Sequence, residues 1–285
     1  MKKVSYVLFL ISFMFSCQEL EDAGNTNLNS FEDINKITNE LITFNASKLS
    51  TFMTKESDGS LWMDKNQMTV SSFEHLDGYL INASGLDIEL LAKPFGKERI
   101  DRNTMSNRVM NIDYGNFNMP QVWFADQLIT NLLEVEDLYE VTDVVFSFNL
   151  QVLNSLLTQA EKDELLVLSS SALSIRDFLL NGGVDILYDE MILVYGDPTD
   201  PSNPSIGGRV QGCSVDTRAV WGSAVIGLTT GAVSGAYAGA TGGSIAPGIG
   251  TVTGAVSGAV IGGAVGFVSG ALAGVAGSLL LTCFR

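Results

Sequence analysis

Glycine recurs at every fourth position of the stretch GTVTGAVSGAVIGGAVGFVSGALAG, residues 250–274. A residue at every fourth position follows one ridge of an α-helix, so these glycines would form a groove free of side chains. Such grooves let two helix backbones approach closely. Two sets share this spacing: Gly227, Gly231, Gly235, Gly239 and Gly243, and then Gly250, Gly254, Gly258, Gly262, Gly266, Gly270 and Gly274. The spacing therefore predicts two helices that pack through glycine.

The segment between the two sets predicts a turn, because residues 244–249 read Ser-Ile-Ala-Pro-Gly-Ile. The 66 residues from Ala219 to Phe284 contain no charged side chain. Two arms of about 26 and 32 residues are each long enough to cross a bilayer. We therefore expect a Gly-rich, membrane-competent helical hairpin over residues 213–285, with the lipid bilayer and its own helices as partners. A flexible glycine-rich segment and a collapsed core are the alternatives, and each glycine costs an unpacked helix about 1 kcal/mol.

The pattern resembles glycine-zipper domains, and in particular class II bacteriocins and similar membrane-permeabilising peptides. The resemblance covers residues 213–285 and implies action by helix association in a target membrane. No double-glycine leader precedes the segment, which departs from the bacteriocin pattern.

Cys213 and Cys283 flank the predicted hairpin. If the arms are antiparallel, the two cysteines meet at the same end, and an oxidising compartment favours a disulfide between them. Two unpaired buried thiols are the alternative.

The N-terminus predicts an export signal. Lys2 and Lys3 precede an uncharged run of 12 residues, Val4 to Phe15, which is too short for a comfortable span and typical of a signal-peptide core. The run ends at Ser16-Cys17 and resembles a bacterial lipoprotein signal, which implies lipidation of Cys17. An ordinary secretory signal is the alternative.

The segment that follows Cys17 is acidic and then polar, with Gln-Glu-Leu-Glu-Asp at residues 18–22. It resembles the surface-export signal of Bacteroidetes-type lipoproteins. The resemblance implies a lipid-anchored protein of the bacterial cell envelope, in the outer membrane or on the cell surface. We therefore expect a signal peptide over residues 1–16 and a lipidated tether over residues 17–29.

Residues 30–196 predict an acidic, mostly helical domain, so the expected fold class is mainly α. Pro120 and Thr158 mark helix starts, and Asn181-Gly182-Gly183 marks a stop. A small hairpin is expected around Leu61 to Val70, whereas Val184 to Tyr195 fits either a strand or a short helix. Three of the six prolines lie within residues 198–204 and predict a linker over 197–212.

The composition excludes several functions. The chain has 32 acidic and 16 basic residues, a net charge of −16, which excludes sequence-independent nucleic-acid binding. His75 is the single histidine, and no cofactor, metal or catalytic motif is present. Asp185, Asp189 and Glu190 lack the pattern of a calcium loop and predict a solvated face. We therefore expect a protein that is not an enzyme.

Three functions remain open at this point. The first is a surface-anchored lipoprotein whose hairpin inserts into membranes, with bacteriocin-like permeabilisation and the acidic domain as its carrier. The second is a structural envelope lipoprotein whose hairpin packs or oligomerises in its own membrane. The third is a glycan-binding or enzymatic surface lipoprotein that uses the tail only for attachment.

Overall fold

The computed structural model describes six stretches of the 285-residue chain together with part of the second glycine-rich arm. These are residues 31–57, 60–76, 96–100, 114, 117–196 and 215–245, and then 261–263, 265–267, 270–271 and 274–275. Helices account for 80% of the described residues, and the fold is mainly α. In chain order the long helices are α1 (Phe31–Ser47), α2 (Lys65–Leu76), α3 (Met119–Glu134), α4 (Val141–Leu153), α5 (Gln159–Leu180), α6 (Gly183–Tyr195) and α7 (Thr217–Ile245).

A small antiparallel sheet follows α1, after a short 3-10 helix at Leu49–Phe52. Its strands are β1 (Met53–Lys55), β2 (Leu61–Asp64) and β3 (Lys97–Ile100), in that order across the sheet. The hairpin expected over residues 61–70 is wrong in its second half, since α2 begins at Lys65. The reason is local: the Asp64 carboxylate accepts a hydrogen bond from the Gln67 backbone N–H (2.9 Å), which favours a helix start.

Capping side chains set the ends of α3 and α5. Thr158 and Glu161 form a capping box at the start of α5, and Asn118 and Gln121 form another at the start of α3. At the other end of α5, Asn181 is followed by Gly182, which has a φ of +86°. The segment that the sequence left undecided between strand and helix is helix α6.

Helix α5 is the centre of the bundle, and contacts along it give the directions of its neighbours. Helix α1 packs against its C-terminal half, where the Ser174 hydroxyl donates to the Asn35 carbonyl (3.0 Å). Helix α4 runs antiparallel, because Ser169 contacts Asn149 whereas Lys162, nearer the start of α5, contacts the Leu153 carbonyl at the end of α4. Helices α3 and α5 begin side by side, with the Gln121 amide donating to Glu164 (2.7 Å). The sequence-predicted helices therefore form one bundle.

Candidate functional site

The two glycine-rich arms contact each other backbone to backbone. A methyl group placed on Gly231 of α7 would fall on the carbonyl oxygen of Gly262 and lie 2.8 Å from Cα of Gly266. A methyl group on Gly227 would fall on the carbonyl oxygen of Gly266 and lie 2.9 Å from Cα of Gly270. Real Cβ atoms do not approach backbone atoms this closely, so these positions require glycine if the arms keep their separation.

The register shows that the arms are antiparallel. Residue numbers fall along the second arm as they rise along α7: Gly262 faces Gly231 and Gly235, Gly270 faces Ser223, and a methyl group on Gly274 would lie 2.7 Å from Cα of Val220. Four glycines of the second arm, each four residues from the next, are thus matched to α7. Seven of the twelve glycines in the groove predicted from spacing take part in these backbone contacts: Gly227, Gly231, Gly235, Gly262, Gly266, Gly270 and Gly274.

Other predicted site residues have a different status. Gly239 and Gly243 lie within the bounds of α7. Gly250, Gly254 and Gly258 lie outside the described residues, as do Cys17, Cys213 and Cys283. The lipidation and the disulfide therefore stay predictions, although the antiparallel direction of the arms is the one that the disulfide requires.

The outer face of the hairpin is buried against the helical domain. Trp221 is 2% exposed, and its indole N–H donates to the carbonyl of Leu132 in α3 (2.8 Å). Phe267 of the second arm packs edge-on against Phe178 of α5, with ring centroids 5.7 Å apart. Further buried side chains of the hairpin join the same core: Val220, Ala224, Val225, Leu228, Ala232, Ile261, Val265, Ala271 and Val275. Residues on both sides of the predicted linker therefore share one hydrophobic core.

Helix α5 presents small polar side chains within this core. Ser169, Ser170, Ser171 and Ser174 are buried, in the order Leu-Ser-Ser-Ser-Ala-Leu-Ser along residues 168–174. A methyl group on Gly263 would lie 3.6 Å from the Ser171 hydroxyl oxygen, so the second arm passes close to this helix. Among the described residues, the Ser171 hydroxyl is a buried side-chain group without a hydrogen-bond partner. An unpartnered buried hydroxyl costs about 1–3 kcal/mol.

Sequence reasoning missed the residues that join the hairpin to its cover. Trp221 stands at the start of an otherwise small-residue helix, and the serine run in α5 resembles the small-residue faces on which helices approach closely. Both features can be seen in the sequence. What they pack against cannot, because Trp221 contacts a residue 89 positions away and no local pattern predicts such a contact.

No helix within the described ranges has both the length and the apolarity needed to cross a membrane.

A second concavity lies between α1, α2 and the end of α5. This cleft of about 670 Å³ is lined by His75, Glu40, Phe44 and Asn181 among others. His75 Nε2 lies 3.1 Å from the Glu40 carboxylate, and its ring stacks on Phe44 with centroids 4.0 Å apart. Lys48 Nζ lies 4.3 Å from the centroid of the same Phe44 ring. The polar and aromatic groups of the cleft thus already contact one another.

The acidic residues of α6 are partly engaged in the fold. Glu190 accepts a hydrogen bond from the Ser50 backbone N–H (2.8 Å), which ties α6 to the 3-10 helix. In the part of the chain that the structure describes, no three histidine, cysteine, aspartate or glutamate side chains are grouped so as to hold a metal ion.

Comparison with protein families, with curated proteins and with solved structures gives no match for this chain. The functional argument therefore rests on the geometry of the hairpin and its cover.

Proposed function

We propose that this chain is a lipid-anchored protein of the bacterial cell envelope whose glycine-zipper hairpin inserts into membranes, and that its helical domain covers the hairpin in water. One observation carries the proposal. The glycine faces of the two arms are turned toward each other, while the apolar outer face of the hairpin is buried against α3 and α5.

The inner contact explains why the hairpin can survive a change of surroundings. Gly227, Gly231, Gly262 and Gly266 contact one another across the arms and need no side chain of the helical domain. The hairpin can therefore keep this contact while its outer face passes from the protein core to lipid tails. Van der Waals packing of small residues is the interaction that holds helices together in lipid.

The outer contact explains why a cover is required in water. Val225, Leu228 and Phe267 are almost completely buried by neighbouring helices, and exposing such side chains costs about 1.5–3 kcal/mol each. The unpartnered hydroxyl of Ser171 offsets part of this gain, which lowers the free energy needed to separate α5 from the hairpin.

Anchoring through Cys17 places the hairpin close to a bilayer. Two or three acyl chains hold a protein stably, since each buried CH₂ contributes about 0.8 kcal/mol. Acyl labelling of the parent and of Cys17→Ser tests this part: the parent should be labelled and membrane-bound, and the variant should be neither. Equal labelling would contradict it.

The shared core favours a second candidate, a structural envelope lipoprotein whose hairpin never leaves its cover. In that case Trp221 and Phe267 are permanent core residues, and the glycine groove serves only to fit two helices into a small bundle. The two candidates differ in whether the hairpin must separate from α5.

A reversible covalent lock distinguishes the candidates. Because a Cβ on Gly263 would lie 3.6 Å from the Ser171 side-chain oxygen, cysteines at both positions lie within reach of a disulfide. We expect the oxidised Ser171→Cys/Gly263→Cys protein to leave dye-loaded liposomes intact. Reduction should restore leakage to the level of the reduced parent.

The two single variants, each assayed oxidised and reduced, control for the native cysteines and for the substitutions themselves. Leakage by the oxidised, locked protein at the level of the parent would contradict release of the hairpin. Absence of leakage from the parent under both conditions would favour the structural candidate.

A further inference from the structure

We propose that one end of the helical bundle docks on a lipid surface, and that this end consists of the start of α3, the end of α4 and the loop into α5. We call it the docking end and define it by Met119, Trp123, Leu150, Leu153 and Leu156. The proposal rests on the lipid anchoring proposed above, but not on permeabilisation by the hairpin.

Contacts between helices show that these five side chains lie at the same end. The side chains of Asn118 and Gln121, at the start of α3, contact Glu161 and Glu164 in the first turns of α5. Lys162 in turn donates to the Leu153 carbonyl at the end of α4 (2.9 Å). The first turn of α3 and the last turn of α4 therefore flank the first turn of α5.

Exposed apolar side chains are concentrated there. Nine large apolar side chains are exposed in the described part of the chain, and five of them belong to the docking end. Met119 is 80% exposed and Leu156 is fully exposed. The other four are Tyr139, Phe146, Leu180 and Leu193, and Phe146 lies one turn before Leu150 on α4. Exposed apolar side chains that are grouped at one end of a bundle favour an interaction site over ordinary surface, where such side chains are scattered singly.

The N-terminal end of α1, which follows the proposed lipid tether, lies toward the same end of the bundle. Helix α1 runs in the direction of α5, because Asn35 contacts Ser174 whereas Phe44, later in α1, lines one cleft with Asn181 at the end of α5. At 1.5 Å per residue, Phe31 therefore lies about 17 Å along the helix axis from the start of α5. Thirteen residues separate Phe31 from Cys17, and extended they reach about 45 Å. The tether is therefore long enough to bring the docking end down to the bilayer that holds the acyl chains.

The hairpin also points toward this end. Gly263 of the second arm lies beside Ser171 and Phe267 packs on Phe178, so this arm runs in the direction of α5. Helix α7 is antiparallel to this arm, so from Trp221, which contacts Leu132 near the end of α3, it runs back toward the start of α3 and α5. Helix α7 has 29 residues and α3 has 16, so α7 reaches past the start of α3. The docking end, the N-terminal end of α1 and the far end of α7 thus all face one direction.

The chemistry of the patch fits lipid of low charge. Tryptophan, methionine and leucine partition well into the interface, and tryptophan is enriched there. Glu161, Asp163 and Glu164 border the patch, with Lys162 as the adjacent cation. This acidic border repels anionic headgroups, so zwitterionic surfaces should bind best.

Fluorescence quenching tests the proposal on the full, lipidated protein. The probe is phosphatidylcholine vesicles whose acyl chains carry bromine, a short-range quencher of tryptophan. The oxidised Ser171→Cys/Gly263→Cys protein is used as the parent here, because its disulfide holds the hairpin against α5 and keeps Trp221 buried. We expect quenching of this parent and near-complete loss of that quenching when Trp123→Phe is added. Trp62→Phe is the matched control, because Trp62 lies in β2 beyond the opposite end of α1, and quenching should persist.

A second pair of variants tests the leucines. Leu156→Asp should lower the quenching of Trp123 severalfold, whereas Leu193→Asp, the same substitution at an exposed site on α6, should leave it unchanged. Quenching that is equal in the parent and Trp123→Phe, or equal in Leu156→Asp and Leu193→Asp, would overturn the proposal. Dye leakage and acyl labelling report separately on the proposed function. Leakage without quenching of Trp123 would contradict only the docking end, whereas quenching without leakage would contradict only permeabilisation by the hairpin.

Discussion

The two halves of the molecule bring helices together by different means. In the helical domain, Leu128, Leu165, Ile175 and similar side chains fill the space between helices. Between the arms of the hairpin, backbone meets backbone at Gly227, Gly231, Gly262 and Gly266. Side-chain packing keeps helix axes 8–10 Å apart and tolerates substitutions of similar volume, whereas a glycine groove tolerates no added atom. The hairpin can thus hold together with few large side chains, but only over the glycine stripe.

The largest expected effect comes from adding one carbon to the groove. Gly266→Ala should destabilise the folded protein by about 3 kcal/mol, because its Cβ would meet the Gly227 carbonyl and Cα of Gly231. Urea unfolding followed by circular dichroism measures the change.

The matched control lies on the same hairpin but off the groove. A methyl group on Gly222 would meet only a Leu133 side-chain atom at 3.9 Å, an ordinary contact. Gly222→Ala should therefore stabilise the protein by up to about 1 kcal/mol through helix propensity. If both substitutions changed the free energy of unfolding in the same direction, glycine content, and not the groove, would determine the stability of the hairpin.

A smaller effect is expected at the junction of the two halves. Trp221→Phe keeps most of the buried ring but removes the donor to the Leu132 carbonyl, which lies in the last turn of α3 where carbonyls lack helical partners. The expected loss of unfolding free energy is about 1–2 kcal/mol. Trp123→Phe on the exposed surface should change it by less than about 0.5 kcal/mol in the absence of lipid. Equal effects of the two changes would contradict a specific junction.

The smallest effect concerns the pH dependence of stability near and below neutral pH. It should arise in the helical half, since residues 219–284 contain no Asp, Glu, His, Lys or Arg. Burial raises the pKa of Glu164, and the hydrogen bond from Gln121 only partly opposes the rise. At pH values above this raised pKa, the ionised Glu164 side chain therefore lowers the stability of the folded protein. Glu164→Gln should raise the melting temperature at neutral pH, and the gain should vanish as the pH falls below the pKa of the unfolded chain.

The pKa of Glu161, in the same turn of α5, is shifted in the opposite direction, and the effect on stability is opposite as well. Hydrogen bonds from Thr158 lower the pKa of Glu161, so its charged form contributes stability above the unfolded pKa. Glu161→Gln should lower the melting temperature at neutral pH, with the loss disappearing as the pH falls through the folded pKa. Parallel pH profiles for the two variants would contradict the assignment.

Local sequence signals predicted much of the fold. The Thr158 cap, the Pro120 start and the Asn181-Gly182 stop each depend on neighbouring residues, and the structure confirms helix ends at all three. The Leu61–Val70 hairpin failed because Asp64 caps a helix, a competing local signal that the apolar pattern concealed. Helix α6 was undecided because a short apolar run fits both periodicities.

The partner of the hairpin could not be read from the chain. Glycine spacing indicates which helix face lacks side chains. The same spacing is compatible with an arm that packs against lipid, against another copy of the chain or against its own helical domain. The decision comes from contacts such as Trp221 with Leu132 and Gly263 with Ser171, which join distant parts of the sequence. The exposed leucines of the docking end were likewise indistinguishable from core positions in the sequence pattern.

Hydrogen exchange of the protein in water tests most directly whether the hairpin and the helical domain share one core. Amides over residues 224–232 of α7 should exchange as slowly as those over residues 165–175 of α5, because both open only when the common core opens. Gly266→Ala should accelerate exchange in both segments together. Fast exchange in α7 alongside full protection of α5 would contradict the account, since it would mean that the glycine-rich hairpin does not pack against the helices that cover it.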